Sequence, residues 1–223
     1  VKTLEMNDNV DIRTNRGGRS KTITAVYAHH TIDDERAELK GRANIISDNT
    51  TLKAEHIVYE PAFLRATLTT AVEATQNGDK ATGDAMAVSL YEDRSVKHVS
   101  ITGNAGVQNS APDRTTTVRA PRIDADWKVG QIISTARTTG ETIVNIVPAG
   151  NSNAAPMTAN AARSANVTFI GNGAIGQIVT DGRTSIRIDG DRAAADGASK
   201  TVTADTIKTD FQADGKSIKR AEA

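Results

Sequence analysis

The chain has 223 residues, 38% hydrophobic, 3% aromatic and 24% charged, with 27 basic residues against 27 acidic ones. A neutral total offers none of the clustered positive charge that phosphate backbones require, so no nucleic-acid partner is expected, and the absence of cysteine excludes disulfides, zinc–thiolate sites and a cysteine nucleophile. So few aromatic residues suit a narrow interior lined by Ala, Val, Ile and Leu, and no apolar run approaches the ~18 residues of a membrane span.

Taken in order, residues 1–12 alternate as a strand, 15–19 form a loop, and 21–28 a second strand. Asp33-Asp34-Glu35 turns the chain into 37–46, and Glu60-Pro61-Ala62 divides the hairpin 51–60 and 64–74. Gln76-Asn77-Gly78-Asp79 connects to 81–90 and 95–107, with a loop at 109–113. Residues 115–126, 131–137 and 142–147 continue the pattern, and 148–156 (Pro-Ala-Gly-Asn-Ser-Asn-Ala-Ala-Pro) read as a loop or linker. Short strands are expected at 166–170, 176–180 and 184–189, and a last pair at 201–210 and 216–223. No segment has a convincing period of 3.6; only Ala159 to Ala165 is allowed as a helical turn. The domain expectation is a β-repeat region over 1–147, the linker 148–156, and a further region 157–223 continuous with the first.

Two phrases recur. Val1 to Ile12 is echoed by Val96 to Val107, and Ser217 to Ala223 begins it again. Between copies runs Thr-aliphatic-x-Ala: Thr22-Ile23-Thr24-Ala25, Thr51-Leu52-Lys53-Ala54, Thr117-Val118-Arg119-Ala120 and Thr201-Val202-Thr203-Ala204. Recurrence of this kind marks an array in which each unit covers its neighbour's apolar face. Period two puts the aliphatic residue and the Ala on one face of a strand. A further aliphatic residue follows each Ala by three positions, at Ile57, Ile123 and Ile207; three steps should reverse the face, which implies a bulge or a strand end there. The repeating unit is therefore a hairpin. The chain opens at Val1 inside one phrase and closes at Ala223 inside another, so both ends are expected to present strand edges that flanking repeats, another copy or a partner continue.

No catalytic constellation emerges. Gly171-Asn172-Gly173-Ala174-Ile175-Gly176 fits G-x-G-x-x-G, but a dinucleotide site needs a helix to follow, whereas Gln177 to Thr180 reads as a strand. Asp189-Gly190-Asp191 and Asp196-Gly197 suit turns better than a calcium loop, because Arg192-Ala193-Ala194-Ala195 supplies no ligand. His29, His30, His56 and His98 make no metal-ligand spacing. Asn49-Thr50-Thr51 and Asn166-Val167-Thr168 fit the glycosylation pattern, which short sequences match by chance. Neither an enzyme, a cofactor nor a metal is expected.

Thr-aliphatic-x-Ala-(Asp/Glu), a hairpin turn and an aliphatic run into Thr-Gly-Asn-Ala-x-Val resemble the OstA-like repeats of the lipopolysaccharide-transport bridge proteins, the family of LptA-type and LptC-type components. Thr201 to Ala223 and Ser95 to Val107 carry the resemblance most closely; it weakens between about residues 140 and 197. It implies an all-β fold, an elongated, twisted antiparallel β-jellyroll with an apolar groove, solenoid-like in its succession of hairpins. It implies that acyl chains of lipopolysaccharide or another amphipathic lipid occupy the groove without chemistry. It also implies edge-to-edge stacking, with other bridge components or with itself, into a track across the periplasm, where an inner-membrane anchor outside this sequence is compatible. The lack of cysteine fits that compartment. On the alternation alone, the expected lining is Leu4, Met6, Ile12, Ile23, Ala25, Leu52, Ala54, Leu68, Val99, Ile101, Val118, Ala120, Val202 and Ala204. The same alternation would also serve a structural or adhesive β-solenoid with a solid interior.

Overall fold

The structure, a computed structural model, describes residues 2–16, 19–130, 132–150, 155–171, 174–189, 198–213 and 218–223. Abundant Thr, Val and Ile in alternation make strands throughout. They are β1 Thr3–Arg16, β2 Arg19–Thr31, β3 Ala37–Ser47, β4 Thr50–Glu60, β5 Arg65–Gln76, β6 Asp79–Leu90, β7 Val96–Ala111, β8 Arg114–Lys128, β9 Ile132–Thr139 and β10 Thr142–Pro148. The series continues with β11 Met157–Ala161, β12 Ser164–Ile170, β13 Ala174–Asp181, β14 Thr184–Ile188, β15 Lys200–Ala204, β16 Lys208–Phe211 and β17 Ile218–Glu222. Among the described residues the one helical element is a 3₁₀ turn, Pro61–Phe63, inside the expected β4–β5 turn. The all-β expectation holds. The helical turn allowed at Ala159 to Ala165 does not: that stretch is the end of β11 and the start of β12, because its alanines pair across the sheet, Ala161 with Thr142 and Ala165 with Thr180.

The chain divides into two compact units, Val1–Gly103 and Asn104–Ala223. Residues 149–156 connect β10 to β11, which pair with each other from Thr142↔Ala161 to Ile146↔Met157.

In the first unit β1 to β6 pair antiparallel in chain order. Every one of these pairings slips at the same level, at Asn7/Val10, Thr24/Tyr27, Lys40/Ala43, Lys53/His56 and Thr69/Val72. On β1, β3 and β5 two consecutive residues, Asp8-Asn9, Gly41-Arg42 and Thr70-Ala71, take left-handed φ between 47° and 74°. They lie opposite a single residue of the neighbouring strand, Val26, Glu55 or Asp84. A bulge bends its strand and sharpens its twist; aligned from strand to strand, these bulges form one crease across the sheet. Gly41 shows why a side chain is excluded there: at φ +74° a Cβ would meet that of Val26 at 2.7 Å.

The second unit is creased too, deeply enough to split its strands. β8 pairs with β10 through Arg114 to Arg119 and with β9 through Arg122 to Lys128. β9 and β10 are thus two arms of one strand broken at Gly140, and β11 with β12, β13 with β14, and β15 with β16 are arms of the next three. One arm runs β10–β11–β14–β15 and the other β9–β12–β13–β16–β17.

The bend is measurable. Four residues of straight strand separate side chains by about 13 Å, yet Thr142 Oγ1 lies 2.6 Å from Thr138 Oγ1, and Thr184 Oγ1 lies 2.8 Å from Thr180 Oγ1. Residues beside the crease are buried on both sides of it: Met86, Leu68, Ile57, Leu39 and Ala28 on one, Val10, Ala25, Ala43, Ala54 and Val72 on the other. No helix covers this sheet among the described residues, so the arms of each sheet cover each other. Each unit is a trough, closed along the crease and open at the arm tips.

Candidate functional site

The inner face of the trough is built in rows. In the first unit one row reads Met6, Ala28, Leu39, Ile57, Leu68 and Met86 across β1 to β6. Across the crease, the next row outward is Ile12, Ile23, Ile45, Leu52, Ala74 and Ala81. The first row is buried from Ala28 onward; the second is half-exposed throughout. In the second unit the matching outer row is Val118, Val144, Ala159, Ile186 and Val202, again half-exposed and ending on an exposed Val202. Burial falls from crease to tip along these rows, which leaves apolar side chains half-exposed.

Of the residues the sequence nominated, Ala25, Ala54, Leu68, Ile101 and Ala120 are buried beside the crease. Met6, Ile12, Ile23, Leu52, Val99, Val118 and Ala204 are half-exposed. Leu4 and Val202 lie at the rims, 50% and 52% exposed. The list omitted the residues that complete the crease: Val10, Ala28, Leu39, Ala43, Ile57, Val72, Met86, Ala105, Ile123, Ala161, Ala165 and Ile207. Their signal was present. On β2, β4 and β8 the buried pair is three apart, as in Ala54 and Ile57 or Ala120 and Ile123; on β3, β5 and β7 it is four apart, as in Leu39 and Ala43, Leu68 and Val72, or Ile101 and Ala105. The inferred bulge after the Ala residues is the crease itself.

The second unit floors its crease with hydroxyls, all satisfied. Thr142 Oγ1 donates to Thr138 Oγ1, and the Ala165 N–H donates to Thr138 Oγ1 at 2.7 Å. Thr184 repeats this on Thr180, with the Ile207 N–H at 2.9 Å from Thr180 Oγ1. A buried amide that lost its strand partner at the bend is thereby paired.

Charges occupy the other face. Glu38 accepts from Lys40 Nζ at 2.9 Å and contacts His56 Nε2 at 2.8 Å and Arg36 at 3.4 Å. The Lys40 hydrogen bond, with help from His56 and the two cations, holds the Glu38 carboxyl down at about 2. Glu73 sits between Lys53 and Lys80, whose hydrogen bonds lower its pKa. A depression of about 360 Å³ opens at the crease among Thr24, Arg42, Ala43, Asn44, Lys53, Ala54, Glu55 and Ala71; its lining mixes charged and polar side chains with alanines.

Ala174–Asp181, where a dinucleotide fold needs its helix, is a strand, and a Cβ on Gly176 would press on Ile170 Cγ2 at 2.7 Å. Asn172 and Gly173, and the aspartate loop from Gly190 to Gly197, lie outside the described residues. Among the described residues no three His, Asp or Glu side chains gather as metal ligands, and no helix is long and apolar enough to cross a membrane.

No family model matches this chain, and no curated protein matches it. Among solved structures it is similar to the crystal structure of LptH from Pseudomonas aeruginosa, described as the LptA homologous periplasmic component of the lipopolysaccharide transport device. The identity is 14%, the match covers 69% of this chain and 93% of that one, and the TM-score is 0.42.

Proposed function

We propose that the protein is a non-enzymatic periplasmic carrier of an amphipathic lipid, lipopolysaccharide first, whose acyl chains lie between the arms of the trough while the sugar head stays in water. The half-exposed rows Ile12–Ala81 and Val118–Val202 carry this reading. They are apolar and continuous, and they stand apart from the packing that closes the crease. A solid structural array would press such rows together. Transfer of chains from water is worth about 0.8 kcal/mol per methylene, so a trough of this kind needs no specific polar contact to bind. The repeat phrases that resemble OstA-like proteins support the same substrate. The terminal strands β1 and β17 join a neighbouring copy or another bridge component by backbone hydrogen bonds, and the protein works between the two membranes, with or without an anchor.

The direct test is binding. Purified protein is mixed with lipopolysaccharide and the co-eluting lipid is quantified. Ile45→Asp and Val144→Asp place an unpaired carboxylate in the rows and should weaken binding by at least about tenfold, while Lys53→Asp, on the outer face, leaves it unchanged. Equal binding by all three variants refutes the carrier reading. Crosslinking from Lys2 and Lys219 tests the junctions; a strictly monomeric protein with no crosslinked partner counts against them.

A further inference from the structure

The second unit hides a period of 42 residues: Trp127, Phe169 and Phe211 recur at that interval, as do Thr138 with Thr180 and Thr142 with Thr184. These three aromatics are three of the chain's four Phe and Trp residues, and the structure puts them in one place. Each is the outermost inward residue of its strand, on β8, β12 and β16, along the same arm. Beside each the return strand is bulged by one residue, Ser134, Gly176 or Lys219, and after the bulge the register partners are Ile133, Ile175 and Ile218. A bulge re-aims a side chain, and one repeated three times at the same level is a built feature.

We propose that the Trp127–Phe169–Phe211 row is a ledge that holds the junction between the acyl chains and the anionic head of an amphipathic lipid, and so fixes how deep the lipid sits in this unit. This rests on the carrier reading. Below the ledge the arm is aliphatic and increasingly buried, through Val167 and Ile178 to Ala165 and Ile207; at the ledge the rings are half-exposed. Aromatic rings settle where one side is apolar and the other wet. One charge beside the row is complementary to a phosphate or carboxylate head: Lys219, the bulged residue beside Phe211, is exposed; Lys128, next to Trp127, is exposed too but shares the outer face with Asp126. The acids of the same tips are turned to the outer face and engaged, Asp126 by the Thr135 hydroxyl at 2.9 Å and Asp210 by the Gln177 amide at 2.7 Å.

Trp127 is the single tryptophan, so its emission reports on the ledge alone. The probe is lysophosphatidylglycerol brominated either on the carbons next to the glycerol or at the methyl end. The expected result is a blue shift on binding and stronger quenching by the head-proximal bromine, with Phe169→Ala and Phe211→Ala each weakening binding about two- to tenfold. Benzophenone at Val144 reports separately whether the lipid enters the trough. Labelling at Val144 with no shift at Trp127, or with stronger quenching by the methyl-end bromine, overturns the ledge and leaves the carrier. Neither labelling nor shift removes both. A Trp127 that is already blue-shifted and shielded from acrylamide without lipid is covered by its own chain, which also overturns the ledge.

Discussion

Thr138 and Thr180 do at the crease what a neighbouring strand does elsewhere: each accepts the hydrogen bond of a buried amide, Ala165 and Ile207. Thr180→Val keeps the shape and strands that amide, so it should cost about 1–3 kcal/mol in urea denaturation, with Thr180→Ser close to wild type. Thr70 is the opposite case, a β-branched residue at φ 65° where β3 uses glycine. Left-handed backbone costs an L-residue roughly 1–2 kcal/mol and glycine gives back about 0.5–1 kcal/mol in chain entropy. Thr70→Gly is therefore expected to raise stability by up to about 1 kcal/mol, read as a higher Tm. Glu38 sets an acid dependence. Its folded pKa of about 2 lies below the ordinary 4.5, so its ion pairs stabilise the fold fully above pH 4.5, and that stability is lost as pH falls from there towards 2. Glu38→Gln should flatten the stability profile in that window by on the order of 1 kcal/mol, the partners being partly solvated; an unchanged profile would contradict this.

At the scale of the element, the crease sets which face each half-strand presents. Gly41→Ala puts a Cβ 2.7 Å from Val26 in a left-handed backbone; it should destabilise by on the order of 2–3 kcal/mol. Adding Val26→Ala should recover part of that loss; strict additivity would argue against the contact. This explains what the sequence revealed and what it hid. Strand positions were legible because period two is written plainly in Thr-Ile-Thr-Ala and its copies. The three-residue step from Ala54 to Ile57 and from Ala120 to Ile123 betrayed a bulge. The four-residue step from Leu68 to Val72 did not, because Thr70-Ala71 carries no turn residue. Between β9 and β10 and between β13 and β14 the crease flanks are threonines, so a search for apolar pairs passes over them, although the spacing Thr138-x-Gly140-x-Thr142 returns at Thr180-x-Gly182-x-Thr184. Except on β1, where Met6 and Ile12 lie on either side of the bend, the nominated lining therefore followed each run on one side and lost the other.

At the scale of the molecule, two units each carry a crease, buried apolar or hydroxyl flanks and half-exposed aliphatic rows. Such rows are an aggregation liability unless something of like polarity occupies them, and in the proposed function lipid chains would do so without specific polar contacts. In the proposed carrier, acyl chains lie between the arms, on the faces that alternation and bulges assign as inward. Site-specific photo-crosslinking tests it most directly, with benzophenone at Leu52 and Val144 on the inner face and at Lys53 and Arg119 on the outer. Lipid adducts from Leu52 and Val144 but not from Lys53 or Arg119 are the predicted result; adducts from neither face, or from both alike, would contradict it.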